Sequence, residues 1–320
     1  MSVHLISRLC LLSSIVLILC LNPAAGPATG AQTPPDGQML AGAIDVHVHS
    51  MPDSETWRID SIDLAKLARS RGMRGLVLKS HWESTAMLAY VVRKEVPGLE
   101  VFGGIGLSRA VGGVNPAAVE EMARVTGGYG RVVWMPTLES EHGVRSSGSN
   151  RPYLSVARDG VLLPEVKAVI AVIAKNNLVL ATGHSSPEEN LLLVREGRAQ
   201  GAAHMVVTHA MSRPIRMTIP QMQEAAKLGA FIEIVAVHSL SIPELRRTPA
   251  YSIAEVAQAI REVGAGSIVL STDMGQVGIA LPPDGLAAFA SALRAEGISQ
   301  SDLDRMLKEN PARLLDLAVK

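Results

Sequence analysis

The stretch Ile44-Asp45-Val46-His47-Val48-His49-Ser50 guides the interpretation of the whole chain. Apolar and polar residues alternate in it, which predicts a β-strand with both histidines on one face. Two imidazoles one strand repeat apart can converge on one ion, and neutral imidazole is a common ligand of zinc and similar divalent metals. An isolated His-x-His pair is equally typical of a strand with solvent-facing histidines. Features further along the chain favour the metal site.

Length and composition are those of one large globular domain or two small ones. The chain has 320 residues, 48% of them hydrophobic, and a formal net charge of +0. This balance, with no run of Lys and Arg, argues against a nucleic-acid partner. Aromatic residues make up only 3%, so we expect an aliphatic core.

Residues 1–31 have the features of a secretory signal peptide. Arg8 precedes the apolar run 9–21, and small residues follow, with cleavage expected near Ala25 or Ala31. The alternative is an uncleaved membrane anchor, but the apolar run is short for a full span. We therefore expect an exported, periplasmic or secreted protein with no stable membrane span after cleavage.

Both cysteines, Cys10 and Cys20, lie in this leader. Leu19 is too bulky for the lipid-attachment box that Cys20 would otherwise suggest. The mature chain would then contain no disulfide and no thiolate ligand.

Short apolar runs alternate with helical patterns after a Pro/Gly-rich linker at residues 32–42. Eight strands are predicted, at residues 44–49, 74–79, 99–104, 131–135, 178–182, 204–208, 231–237 and 267–272. Eight β-then-α units predict an α/β fold, a (β/α)8 TIM barrel forming a single domain at 43–320. An open doubly wound sheet is the alternative, but Gly103-Gly104-Ile105-Gly106 lacks the G-x-G-x-x-G spacing that would support it.

A Ser/Gly-rich segment at 138–163 interrupts the alternation and shows no convincing period. It is long enough to cover a site as a lid, and a disordered surface insertion is the alternative. The last helical pattern, 301–318, runs nearly to the end of the chain.

Most histidines follow predicted strand ends. One of the nine, His4, is in the leader, and His204 begins a strand and is expected to be structural. The other seven are His47, His49, His81, His142, His184, His209 and His238. Because the C-terminal strand ends of a parallel barrel open onto one face, we expect most of these side chains to meet there. Asp273 follows the eighth strand, where a buried carboxylate needs a cation or donors unless it caps the next turn.

This order of His-x-His, His184, His209 and Asp273 along the barrel resembles the amidohydrolase superfamily of metal-dependent hydrolases. The final segment Glu309-Asn310-Pro311-Ala312-Arg313-Leu314-Leu315 is similar to that superfamily's closing helix. The chain resembles an uncharacterised amidohydrolase-related family more closely. The similar segments are Gly75-Leu-Val-Leu-Lys-Ser-His81, Val101-Phe-Gly-Gly, Gly112-Gly-Val-Asn-Pro116, Val133-Trp-Met-Pro-Thr137, Thr182-Gly-His-Ser185 and Val207-Thr-His209.

The resemblance implies a divalent metal, Zn²⁺ before Mn²⁺ or Fe²⁺, with one or two ions per chain. The implied ligands are His47, His49, His184, His209 and Asp273. Asp273 would also accept a proton from metal-bound water. A divalent ion lowers the pKa of such water toward neutrality, and a neighbouring carboxylate can shuttle its proton.

The chain departs from the superfamily at the fourth strand, where binuclear members usually place a carbamylated Lys or a Glu between two metals. Here Glu139 comes late after that strand. Lys79 is the only lysine at a predicted strand end, and three roles stay open for it: second-site ligand, substrate clamp or salt-bridged barrel lysine. We take Lys79 with Asp273 as the candidate catalytic pair.

Four further residues are candidate substrate-binding groups: His81, Glu139, His142 and His238. Glu233 stands within an apolar strand. It either orients a group inside the barrel or is a paired structural charge.

The expected function is hydrolysis of a small amide, ester or cyclic amide by a metal-dependent enzyme. A phosphoesterase of the polymerase-and-histidinol-phosphatase type is the alternative, because Asp45-x-His-x-His-Ser50 resembles its opening motif. Its second usual signal, a Thr-Asp-His-like strand end, is absent where Leu78-Lys79-Ser80-His81 stands. A non-catalytic periplasmic metal- or ligand-binding barrel is a third class. The expected partner is a small molecule; a homo-oligomer stays open, and fold alone does not select the substrate.

Overall fold

Eight parallel strands surround one axis in the computed structural model, which describes residues 39–240 and 249–319. The described residues contain these eight strands and two more, numbered in chain order: β1 (Ile44–Val48), β2 (Gly75–Leu78), β3 (Glu100–Gly106), β4 (Gly130–Trp134), β5 (Ala157–Arg158), β6 (Val161–Leu162), β7 (Val179–Ala181), β8 (His204–Val207), β9 (Phe231–Val235) and β10 (Ile268–Ser271). The barrel order is β1-β2-β3-β4-β7-β8-β9-β10, and β5 and β6 form a separate antiparallel hairpin.

Helices connect successive barrel strands and cover the outside of the sheet. They are α1 (Ser61–Ser70), α2 (Ala86–Glu95), α3 (Pro116–Arg124), α4 (Glu141–Ser146), α5 (Pro164–Lys175), α6 (Pro187–Ala199), α7 (Ile219–Lys227), α8 (Ile253–Val263), α9 (Pro282–Ala295), α10 (Gln300–Asp304) and α11 (Asn310–Leu314). Capping boxes at Ser186 and Ser252 open α6 and α8.

Backbone hydrogen bonds join the last strand to the first at the C-terminal end of the barrel. The amide of Asp273 donates to the carbonyl of His47, and that of His49 donates to Met274, both at 2.8 Å. Asp45 of β1 adds to this closure of the barrel, because its carboxylate accepts hydrogen bonds from the amide (3.1 Å) and the hydroxyl (2.6 Å) of Thr272. The predicted (β/α)8 barrel is therefore confirmed.

A bulge in β1 turns the two histidines inward. Ile44 and Val46 lie in the apolar cluster inside the barrel, whereas Val48 belongs to the outer cluster under the helices. The register between β1 and β2 shifts there, and β1 contributes one residue more than β2. The extra residue changes the phase of the strand, so His47 and His49 face the axis. The expectation that the three apolar residues share one face is wrong, because simple alternation ignores the bulge.

Three other expectations need correction. Residues 138–163 are not an irregular loop: they contain α4 and the β5–β6 hairpin. The pattern at 301–318 is not one uniform helix, since a π-helical turn at Arg305–Glu309 lies between α10 and α11. The seventh barrel strand ends at Val235 and continues as the 3₁₀ turn Ala236–His238.

Asn310 explains why the closing segment docks where it does. Its buried amide donates to the carbonyl oxygens of Ala265 (2.8 Å) and Ile268 (2.6 Å), which precede and begin β10. Leu314 and Leu315 join the apolar cluster inside the barrel. The C-terminal helix therefore closes the end of the barrel opposite the histidines.

The leader predicted at residues 1–31 lies outside the described residues, as does most of the predicted linker. Leu40, near the end of that linker, is fully buried, so the packed structure begins before residue 43. Within 39–240 and 249–319, no helix has the length and apolar character needed to cross a membrane.

Candidate metal centre

His47 lies at the centre of the site, and both of its ring nitrogens contact carboxylates. Nδ1 is 3.0 Å from Oε1 of Glu233, and Nε2 is 2.9 Å from Oδ1 of Asp273. Glu233 also accepts from the hydroxyl of Ser271 (2.7 Å) and the amide of His209 (2.8 Å). This buried carboxylate thus joins the ends of β1, β8 and β10. Its contact with His47 supports both predicted roles, because Glu233 orients the ring and pairs with the charge of a protonated His47.

His49 brings a second imidazole to the same carboxylate. Its Nε2 lies 3.1 Å from Oδ1 of Asp273, and its ring stacks on Trp57 with centroids 4.4 Å apart. One ligand atom from each of His47, His49 and Asp273 lies within 4.8 Å of the others, and all three residues are buried. The convergence predicted from the His-x-His spacing is therefore present.

His184 and His209 form a second group beside this cluster. Their Nε2 atoms lie 3.1 Å apart, and the ring of His209 stacks with that of His47 at a centroid distance of 6.0 Å. The buried Nδ1 of His209 has no hydrogen-bond partner among the described residues. The five predicted ligands therefore lie in two adjacent groups rather than one.

The electrostatics separate His47 from the other histidines. Burial disfavours its charged ring, but the carboxylates of Asp273 and Glu233 outweigh burial and raise the pKa of His47 to about 9. Burial would raise the pKa of Asp273, yet the neighbouring His47 holds it well below its usual range. A protonated His47 therefore places a positive charge between the two carboxylates.

The other three imidazoles are held neutral. Burial lowers the pKa of His49 to about 4 and that of His184 to about 3. It also lowers the pKa of His209 well below its usual value. A metal binds imidazole through an unprotonated nitrogen, so these rings are in the protonation state that a ligand needs.

Lys79 enters the site from the end of β2. Its side chain is 2% exposed, and Nζ lies 2.9 Å from Nε2 of His47 and 5.6 Å from the centroid of the Trp134 ring. Burial lowers the pKa of this amine. No carboxylate of the described residues lies within ion-pair distance of it, so the contacts give no support to a salt-bridged structural role.

The donor set fits a divalent cation. The Nδ1 hydrogen of His47 is donated to Glu233. When the ring loses the proton on Nε2, that nitrogen presents a lone pair toward Asp273. A divalent cation that contacts both acceptor atoms would take the place of that proton. Two imidazoles and one carboxylate around one point are a donor set typical of zinc and similar metals.

A cavity of about 720 Å³ opens beside this cluster. Asp273, His184 and His209 line it, together with the predicted substrate groups His81 and His238. Its volume is that of a small-molecule site. Residues from the segment 138–163 form one of its walls.

A directed chain of hydrogen bonds fixes the tautomer of His238. The hydroxyl of Tyr251 donates to the carbonyl of Val235 (3.1 Å), so it accepts from Ser212 (3.2 Å). The Ser212 oxygen therefore accepts from Nδ1 of His238 at 2.8 Å. Neutral His238 carries its hydrogen on Nδ1 and keeps Nε2 as an acceptor.

Two predicted substrate groups do not line the cavity. Glu139 accepts from the amide of Arg109 at 2.7 Å, and Nε2 of His142 donates to the carbonyl of Pro214 at 2.9 Å. His204 lies at the start of β8, the end of the strand opposite the site, as expected.

Sequence reasoning missed several residues that build the site. Trp57 and Ser212 contact its histidines, Tyr251 contacts Ser212, and Ser271 donates to Glu233. The side chains of Trp57, Ser212 and Tyr251 come from irregular segments with no periodic signal. Only Ser271, beside Asp273 at a strand end, had a position that could have indicated its role.

A sequence profile of a family of unknown function, DUF6282, matches residues 42–233. That match covers more than half of the chain and contains four of the five predicted ligands. The chain belongs to the DUF6282 family. No curated protein matches the sequence.

Solved structures share the fold of this DUF6282 member. An amidohydrolase from Burkholderia multivorans with bound zinc is 15% identical, with a TM-score of 0.59, covering 87% of this chain and 100% of that one. An amidohydrolase from Pseudomonas aeruginosa is 14% identical (TM-score 0.56; 88% and 98% covered), and a dihydroorotase is 18% identical (TM-score 0.55; 88% and 70% covered). The fold expected from the amidohydrolase resemblance is therefore confirmed.

Proposed function

We propose that this chain is a metal-dependent hydrolase that uses activated water on a small amide, ester or cyclic amide. The observation that carries the proposal is the convergence of His47, His49 and Asp273, whose ligand atoms lie within 4.8 Å of one another beside an open cavity. The amidohydrolase fold of the solved neighbours supports it.

His47, His49 and Asp273 would hold a divalent ion, Zn²⁺ in the first place and Mn²⁺ or Fe²⁺ otherwise. His184 and His209 would complete this site or hold a second ion. When bound, such an ion supplies Lewis acidity, which lowers the pKa of water and polarises a carbonyl or phosphoryl oxygen.

Asp273 would act as the proton acceptor. It lines the cavity, and its low pKa keeps the carboxylate ionised across the neutral pH range. A positioned carboxylate takes a proton from the attacking water and returns it to the leaving group. Glu233 would hold the ring of His47 in the orientation that this site requires.

Lys79 would be the second catalytic group. Its amine faces the same point as Nε2 of His47, and burial lowers its pKa. It would serve as a second-site ligand or as a clamp on a polar substrate atom. His81 and His238, which line the cavity, would contact the substrate.

Replacement of Asp273 by Asn tests the proposal. We expect turnover to fall by about 100-fold or more, because general acid–base catalysis contributes roughly that much. The fold and much of the metal should remain. The measurement is hydrolysis of a panel of p-nitroanilides, lactones and p-nitrophenyl phosphoesters by the metal-loaded protein.

Asp63→Asn is the matched control, because Asp63 is an exposed residue of α1 and lies outside the cavity. Unchanged turnover in Asp273→Asn would remove Asp273 from the mechanism. Activity confined to the phosphoesters would favour the phosphoesterase alternative. Metal binding without turnover of any compound would favour a non-catalytic binding barrel.

Export of the protein, directed by residues 1–31 as a signal peptide, remains part of the proposal.

A further inference from the structure

Three arginines line the cavity beside the metal centre: Arg151, Arg213 and Arg216. We infer that the substrate carries an anionic group, a carboxylate or a phosphate, which these guanidinium groups bind. This inference rests on the proposed function and adds the chemical class of the substrate. The function itself requires no arginine at this position.

The arginines come from two separate segments of the chain. Arg151 lies in the segment between α4 and β5, where its guanidinium donates to the carbonyl of Leu138 at 3.2 Å. Arg213 and Arg216 lie in the turn between β8 and α7. A small molecule in the cavity therefore meets positive charge from two loops.

The turn that carries Arg213 and Arg216 is firmly held. Ile215 and Met217 are 1% and 5% exposed, so they anchor the turn in the core while the two arginines remain exposed. His142 of α4 donates to the backbone of the turn at 2.9 Å. A fixed turn loses little conformational entropy when its arginines bind a ligand.

The charge of the cavity favours an anion. Asp273 is the only acid among the described residues that line it, and a divalent cation would neutralise that carboxylate. No carboxylate within residues 39–240 or 249–319 forms an ion pair with any of the three arginines. A cleft lined by one sign of charge concentrates ligands of the opposite sign.

Arginine also matches the shape of the ligand. Its planar guanidinium presents paired N–H donors to a carboxylate or phosphate. One end of the substrate would lie at Asp273 and the metal, and its anionic end would lie toward the arginines. Neutral amides of the same size would bind without these contacts.

Calorimetric titration of the metal-loaded protein with succinate, succinamide and inorganic phosphate tests the inference. We expect succinate or phosphate to bind at least about tenfold more tightly than neutral succinamide, because charge-assisted hydrogen bonds are worth at least that ratio. The better anion identifies the group. Arg213→Gln and Arg216→Gln should each weaken its binding by a similar factor, and the double variant by more.

Arg195→Gln is the control, since Arg195 is an exposed residue of α6 paired with Glu224. It should bind like the unmodified chain. Equal binding of succinate and succinamide would overturn the inference, and so would anion affinity that the Arg213 and Arg216 variants leave unchanged. In the latter case the anion would be binding at the metal alone.

Metal content, measured on every sample, separates the two proposals. A chain that holds no metal contradicts the proposed hydrolase. Titration of that metal-free chain and its arginine variants would still show whether the arginines bind the anion.

Discussion

Glu233 connects three strand ends beneath the candidate metal centre. It accepts hydrogen bonds from His47, Ser271 and the backbone of His209. A carboxylate behind a ligating imidazole fixes the ring and strengthens its lone pair, and loss of such a partner typically weakens metal binding. Glu233 is the one charged residue of the apolar strand β9, and its carboxylate contacts the neighbouring His47.

Glu233→Gln should therefore weaken metal affinity by roughly 10–100-fold. The amide keeps the size of the side chain but removes its negative charge, so His47 loses part of its electrostatic support. Competition with a chromogenic chelator measures the affinity.

Glu139→Gln is the matched comparison, because Glu139 contacts Arg109 and lies outside the cavity. It should leave the affinity unchanged. If both variants bind metal as the unmodified chain does, Glu233 has no part in the site.

The sequence predicts the site best where a side chain follows a strand. Position alone predicted that His47, His49, His184, His209 and Asp273 would meet at one face, and the amidohydrolase resemblance added their role as ligands. Glu139 and His142 were predicted as substrate-binding groups, but they lie farther from the end of β4 and do not line the cavity. Glu139 accepts from the amide of Arg109, and His142 donates to the carbonyl of Pro214. A side chain up to three residues beyond a strand end, such as His184 after β7, reaches the site. A longer loop directs its side chains elsewhere.

At the scale of elements, β3 and β4 show how tightly the barrel interior is filled. Gly104 of β3 lies beside Trp134, whose ring faces His47 at a centroid distance of 6.2 Å. A Cβ at position 104 would collide with the carbonyl oxygen of Val132 and lie 2.6 Å from Cζ3 of Trp134. Glycine is needed here for close approach, not for backbone conformation.

Gly104→Ala should lower the free energy of unfolding by about 1–3 kcal/mol, the usual cost of overpacking a core. Chemical denaturation measures it. Gly266→Ala is the control, because a Cβ at Gly266 meets nothing within 4 Å. Equal stability of the two variants would show that β3 and β4 pack less closely than the structure indicates.

Two features of the secondary-structure elements could not be predicted from sequence periodicity: the bulge in the first strand and the short elements within 138–163. Alternation in the first strand predicts one apolar face, but the bulge places Val48 opposite Ile44 and Val46. The helix and hairpin within 138–163 are too short to establish a period. Bulges and short elements are determined by tertiary contacts, which a local pattern does not contain.

At the scale of the whole molecule, the barrel topology brings together residues separated by more than 200 positions, such as His49 and Asp273. The regular alternation of strands and helices was enough to predict this topology. The cavity walls were not predictable, because Arg151, Arg213 and Arg216 lie in loops whose course depends on the folded barrel. The fold and the face shared by the predicted ligands thus follow from the sequence pattern, and the loop arginines of the cavity do not.

Metal content per chain tests the central claim most directly. Protein purified without chelator should hold one or two divalent ions, and the His47→Ala/His49→Ala variant should lose the ion of their cluster. His204→Ala, altered at the opposite end of the barrel, should retain the full content. No metal in the unmodified chain, even after incubation with zinc, manganese or iron, would contradict the account.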